Sequence, residues 1–130
     1  MADDSFKEFV LDQLAALPEV RARAMFGSHG LYSGEHFFGI LDEGRLFFKT
    51  DERSKSDYTT RGMRPIAYES KGRLVTMNFY EVPPDVLEQP QELAEWARKA
   101  IGVAASSKIP AKRAKAWTAA FRQNSRNPRN

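Results

Sequence analysis

The sequence predicts an α+β fold: a two-layer sandwich in which a mainly antiparallel, five-stranded sheet carries helices on one face, in the order α-β-β-β-α-β-β-α. Three observations predict it. Apolar residues recur at helical spacing near both ends, at Phe6, Phe9, Val10, Leu14 and Leu17 and again at Leu93, Trp96, Ala97, Ala100 and Ile101. Between them, from Arg23 to Val82, short apolar and aromatic runs are punctuated by glycines. Two of these runs meet across Asp42-Glu43-Gly44 and two across Ser70-Lys71-Gly72, both hairpin signals.

Ser5-Phe6-Lys7-Glu8 has the spacing of a capping box, with Ser5 as cap, and Pro18 ends the first helix. Arg23 to Phe26 opens the first strand and runs into Gly27; Gly30 to Tyr32 leads to a turn at Ser33-Gly34. His36 to Leu41 and Arg45 to Lys49 form the first hairpin, with Leu46 and Phe48 on one face and Phe47 on the other. Asp51 to Arg61 reads as a mostly polar helix, capped by Thr50 or Asp51 and stopped by Gly62, with only an edge around Tyr58 to bury. Pro65 to Glu69 and Arg73 to Val82 form the second hairpin. Val75, Met77 and Phe79 face one way there, and Leu74, Thr76, Asn78 and Tyr80 the other. Pro84 to Leu87 allows a short helical turn, Pro90 starts the last helix, and Gly102 stops it.

The length of 130 residues fits one domain, read as 1–104, followed by a basic, alanine-rich tail, 105–130. There is no cysteine, which excludes disulfides, thiolate catalysis and cysteine-ligated zinc. No apolar run approaches a membrane span, and the acidic start lacks the pattern of a signal peptide. The expectation is a cytoplasmic protein with no membrane contact and no cofactor. The net charge of +3 is unevenly spread. From Ala105 onward there are seven basic residues and no acid, so the rest carries 13 basic and 17 acidic groups, a net of −4. An acidic body with a basic tail suggests an appended electrostatic contact.

Little in the sequence resembles a catalytic centre. His29 and His36 are the only histidines, too few for a metal set and without an orienting partner. Gly27-Ser28-His29-Gly30 leads into a strand and lacks the spacing of a phosphate loop, so its glycines read as a turn. The carboxylates at Asp42-Glu43, Asp51-Glu52 and Glu92-Glu95 suit turns and helix surfaces. No catalytic residue, metal site or enzyme activity is therefore expected. The aromatics Phe37, Phe38, Phe47, Phe48, Phe79 and Tyr80 read as core, because few charges interrupt their strands. The mixed face of Thr76, Asn78 and Tyr80 is the candidate surface for a protein partner or for a homodimer. In the tail, Lys108, Lys112, Arg113, Lys115 and Arg122 are the candidate nucleic-acid contacts, beside Trp117 and Phe121. The same two aromatics could instead dock on the domain or on a second subunit.

Met25-Phe26-Gly27-Ser28-His29-Gly30-Leu31-Tyr32, Gly44-Arg45-Leu46-Phe47-Phe48-Lys49, Pro65-Ile66-Ala67-Tyr68 and Met77-Asn78-Phe79-Tyr80-Glu81-Val82-Pro83 together resemble the N-terminal domain of the TfoX (Sxy) regulators. The resemblance runs from about Ser5 to about Ala104. It implies a helix-flanked antiparallel sheet, no catalysis, and a role in bacterial gene regulation by protein contact. Full-length relatives promote DNA-uptake competence together with the cyclic-AMP receptor protein at promoters. They also carry a helical C-terminal domain, so this chain reads as a stand-alone version lacking it. Two functions stay open: a transcription-regulatory protein acting by protein contact, and a small nucleic-acid-binding protein acting through its tail.

Overall fold

A computed structural model of the chain describes residues 2–25 and 28–107. The elements run α1 (Ala2–Gln13), β1 (Val20–Met25), β2 (Ser28–Ser33), β3 (His36–Asp42), β4 (Arg45–Lys49), α2 (Lys55–Thr59), β5 (Pro65–Ser70), β6 (Arg73–Glu81), α3 (Pro84–Leu87) and α4 (Pro90–Ser107). The strands form one antiparallel sheet in the order β1-β2-β3-β4-β6-β5. The predicted α+β class and antiparallel sheet hold, but the sheet has six strands rather than five. The sequence reading has one strand, Arg23 to Phe26, ahead of the Ser33-Gly34 turn; the structure has two neighbours there, β1 and β2, with Met25 paired to Ser28 and Val20 to Ser33.

Both predicted hairpins close in the expected way. Glu43 and Gly44 have φ of 52° and 75°, and Lys71 and Gly72 have 53° and 78°. Two successive positive φ values match the twist of a two-residue hairpin turn, and glycine takes the second position without steric cost. Between β2 and β3 the register slips: Leu31 pairs with Gly39, but Tyr32 pairs with Phe37. Phe38 is thus the extra residue of a bulge. In regular alternation Phe38 and Ile40 would share a face. With the bulge, Phe38 joins the core under the helices and Ile40 the cluster on the opposite face.

The main core lies between the sheet and α1, α3 and α4. Val10, Leu14, Leu31, Phe38, Phe48, Val86, Leu93, Ala97 and Ala100 are all buried there. The predicted stripe of α4 is the one that packs, and its alanines let the helix approach β3 and β4 closely. Ile40, Phe47, Ile66 and Phe79 form a second cluster on the other face, with Phe37 and Met77 against it. Burying aliphatic and aromatic side chains in this way is worth roughly 1.5–3 kcal/mol each relative to exposure.

Element ends differ from the sequence reading in three places. Helix α1 begins at Ala2, so Ser5 lies inside it and is not its cap. Helix α2 is only Lys55–Thr59, because Asp51 to Ser54 form a turn of their own. There Asp51 Oδ1 accepts the N–H groups of Arg53 (3.0 Å) and Ser54 (2.8 Å), and the Ser54 hydroxyl oxygen accepts the Asp51 N–H. Helix α4 runs through Gly102 to Ser107. Gly102 is exposed, while Val103 and Ala104 beyond it are half-buried, so the apolar stripe carries the helix past its glycine.

Candidate interaction surfaces

Of the three residues predicted as a partner surface, Thr76 and Asn78 are exposed and Tyr80 is half-buried. On β6, Tyr80 lies opposite Phe48 of β4 and is half-buried on the helical side. Its ring packs against Tyr58 of α2 at 5.9 Å. Tyr80 is therefore part of the fold, whereas Thr76 and Asn78 are exposed. Their neighbour Leu74 is 72% exposed and Ala67, across from Thr76, is exposed too. The reason is reach. Strand β4 pairs with β6 only from Phe79 to Glu81, so the far half of the β5–β6 hairpin extends past the part of the sheet that α4 covers. The backbone there is still used: the Asn78 carbonyl accepts the Thr50 N–H at 2.8 Å.

Helix α2 is tied to α3 and α4 by an aromatic and ionic seam. The Tyr58 and Trp96 rings meet edge to face at 4.7 Å. Arg61 lies over the Trp96 ring at 5.2 Å and reaches Asp85 (3.2 Å) and Glu92 (3.8 Å). Lys99 pairs with Asp57 at 3.0 Å. These ion pairs are solvent-exposed and worth little each; the buried Tyr58 ring and the half-buried Trp96 ring carry most of the attachment. Burial, with a smaller contribution from the Asp57 carboxylate, pushes the Tyr58 phenol well above its ordinary range.

The face opposite the helices departs from the sequence reading most. The aromatics are core, as expected, with Phe47 and Phe79 buried and Phe37 half-buried. Yet charges do stand among them, because alternation and the bulge gather them from separate strands. Arg21 and Arg23 of β1 both lie against the Tyr32 ring, at 5.8 and 5.7 Å from its centre. Tyr32 stacks on Phe37 at 5.2 Å, and Phe37 meets Phe79 at 5.3 Å. Lys49 sits over Phe79 at 5.3 Å and Arg45 over Phe47 at 5.3 Å. Reading strands one at a time hides this grouping; the cross-strand pairs Arg21–Tyr32 and Lys49–Phe79 show it.

At one margin of this face lies an open cleft of about 400 Å³ lined by Asp42, Arg45, Phe47, Arg64, Ile66 and Glu81. Two of its lining residues, Arg45 and Glu81, approach to 3.8 Å. The buried Ser28 hydroxyl donates to Asp42 Oδ1 at 2.7 Å, which anchors the β2 start to the end of β3. No group of three or more His, Asp or Glu residues among the described residues is placed to hold a metal. Ser28, His29 and Gly30 belong to β2 itself rather than to a turn. The exposed His36 starts β3. Asp51 is held below the ordinary carboxylate range, chiefly by the Ser54 N–H, in the local turn before α2. No helix among the described residues is long and apolar enough to cross a membrane. The tail candidates Lys108, Lys112, Arg113, Lys115 and Arg122 lie outside the described residues.

Two comparisons place the sequence among known proteins. Residues 12–104 match the family model of the TfoX N-terminal domain. Over 106 residues the chain is 26% identical to protein Sxy of Escherichia coli (strain K12). That alignment covers 80% of this chain and 51% of Sxy, so the chain spans about half the length of this relative. The chain belongs to the TfoX N-terminal domain family.

Proposed function

We propose that this protein is a non-enzymatic regulator of bacterial transcription that works by contacting another protein, in the manner of a competence regulator. The observation that carries the reading is the family match over residues 12–104. The described surface supports it. The cleft beside Arg45 and Glu81 is open, and exposed positions such as Leu74, Arg21 and Arg23 offer side chains for a macromolecular contact. The cyclic-AMP receptor protein is the partner class to test first, because the family resemblance implies it.

The test is a ternary complex. A labelled promoter duplex bound by the receptor protein is titrated with the full chain, and a further mobility shift is read. The proposal expects a shift that needs the receptor and that full-length chain alone does not give at moderate salt. The charge asymmetry favours a second reading, since seven basic residues and no acid lie from Ala105 onward. On that reading the chain alone binds the duplex and affinity falls steeply with salt. Neutralising Lys112, Arg113 and Lys115 to Gln would then abolish it.

A further inference from the structure

We propose that the outer edge of β1 is the docking site for an acidic, extended segment of a partner protein, which joins the sheet as an added strand. The inference rests on the protein-contact reading above and names the chemistry of the partner.

Strand β1 ends the sheet and, among the described residues, pairs only with β2. An edge strand presents a row of backbone N–H and C=O groups to any extended chain. The other edge, β5, is blunted. It begins at Pro65, which has no N–H to give, and its register breaks between Pro65 and Ala67. Strand β1 has neither device: its six residues keep one unbroken register with β2. Its own polar side chains are Arg21 and Arg23.

Those two arginines are also the recognition element. They sit at i and i+2, both exposed, on the face away from the helices. The Tyr32 ring holds both guanidinium groups beside the edge, which limits the rotamer freedom that binding would otherwise remove. Neither makes an ion pair among the described residues. On the other face of the strand, Val20 and Ala22 pack on the helical core, so an added strand would find a small apolar margin there.

Charge selects the occupant. A second copy pairing antiparallel through β1 would set its own arginines against these on one face, and like charges across strands oppose pairing. Nucleic acid gains affinity by neutralising many phosphates, and two arginines on a body of net −4 supply few. A strand with Glu or Asp at alternate positions meets both arginines and uses the backbone row as well.

The experiment uses the isotope-labelled full chain and three capped synthetic peptides. The first is Thr-Glu-Val-Glu-Val-Glu-Thr, the second has Lys in place of Glu, and the third has Pro in place of one central Val. Backbone amide shifts are followed in the wild type and in R21E/R23E, whose thermal unfolding is checked to show that it folds. The proposal expects the Glu peptide to move the amides of Val20 to Met25. It expects affinity at least about tenfold weaker for the Lys and Pro peptides. In R21E/R23E the preference between Glu and Lys peptides should invert. No movement of β1 amides at millimolar Glu peptide overturns the proposal, as does equal binding of the Glu and Lys peptides. A short oligothymidylate that shifts β1 more strongly than the Glu peptide also overturns it, and makes the arginines a phosphate site. The ternary assay separates the two claims. If R21E/R23E still enters the receptor–promoter complex and the Glu peptide does not bind, the edge site falls and the regulatory reading stands. If the peptide binds as expected but wild type never enters the complex, the regulatory reading falls instead.

Discussion

Gly39 lies directly against Leu31 across the β2–β3 pair: a methyl group on Gly39 would stand 3.1 Å from Leu31 Cδ1 and 3.1 Å from the Phe47 carbonyl oxygen. The contact occurs at the bulge that sends Phe38 into the helical core. Gly39→Ala is expected to destabilise the protein by about 1–3 kcal/mol through overpacking. Pairing it with Leu31→Val should recover part of that loss, since the two positions share one contact. Urea unfolding of the single and double variants checks both expectations.

Tyr58 makes stability depend on pH at the alkaline end. Its phenol titrates higher in the folded protein than in the unfolded chain, because burial disfavours the phenolate. The folded state then holds the proton more tightly, so this contribution is complete below the usual tyrosine value of ~10 and is lost as pH rises above it. The loss is about 1.4 kcal/mol per pH unit until the folded group itself titrates. Stability of the wild type should therefore fall relative to Tyr58→Phe between pH ~10 and ~11, while the difference stays constant between pH ~7 and ~9. Denaturant midpoints of the two proteins across that range provide the measurement.

The hairpin turns predict a gain as well as a loss. Glu43 has a positive φ, which costs a residue with a long side chain more than asparagine. Glu43→Asn should raise stability by several tenths of a kcal/mol, up to about 1. Gly44→Ala, at φ 75°, should lower it by about 1 kcal/mol or more although nothing crowds the site. Differential scanning calorimetry resolves effects of this size in a protein of 130 residues.

Ser28 predicts a polar cost. Its hydroxyl is buried and donates to the Asp42 carboxylate. Ser28→Ala removes a hydrogen bond to a charged acceptor and should cost about 1.5–3 kcal/mol, whereas Ser28→Thr should retain part of it. Equal stability of wild type and Ser28→Ala would show that the bond contributes nothing net.

Much of the fold was legible because local rules and tertiary structure agree. The stripe of Leu93, Ala97 and Ala100 and the turns at Glu43-Gly44 and Lys71-Gly72 follow from spacing and from glycine placement. What was not legible depends on partners distant in sequence. Tyr80 belongs by alternation with Thr76 and Asn78, yet Tyr58 takes it into the fold. Arg21 lies ahead of the strand read from Arg23, and only the pairing of Arg21 with Tyr32 sets both arginines over one ring. Gly102 read as a stop, but it lies on the exposed side of α4, where a helix tolerates glycine at a cost near 1 kcal/mol. The bulge at Phe38 has no local signature beyond its neighbour Gly39.

The most direct measurement of protein contact is a titration of the isotope-labelled full chain, without DNA, by purified cyclic-AMP receptor protein. Selective shifts of folded-domain amides are expected, with β1 among them, and no comparable change when the promoter duplex is added alone at moderate salt. Shifts with duplex alone, and none with the receptor, would contradict protein contact.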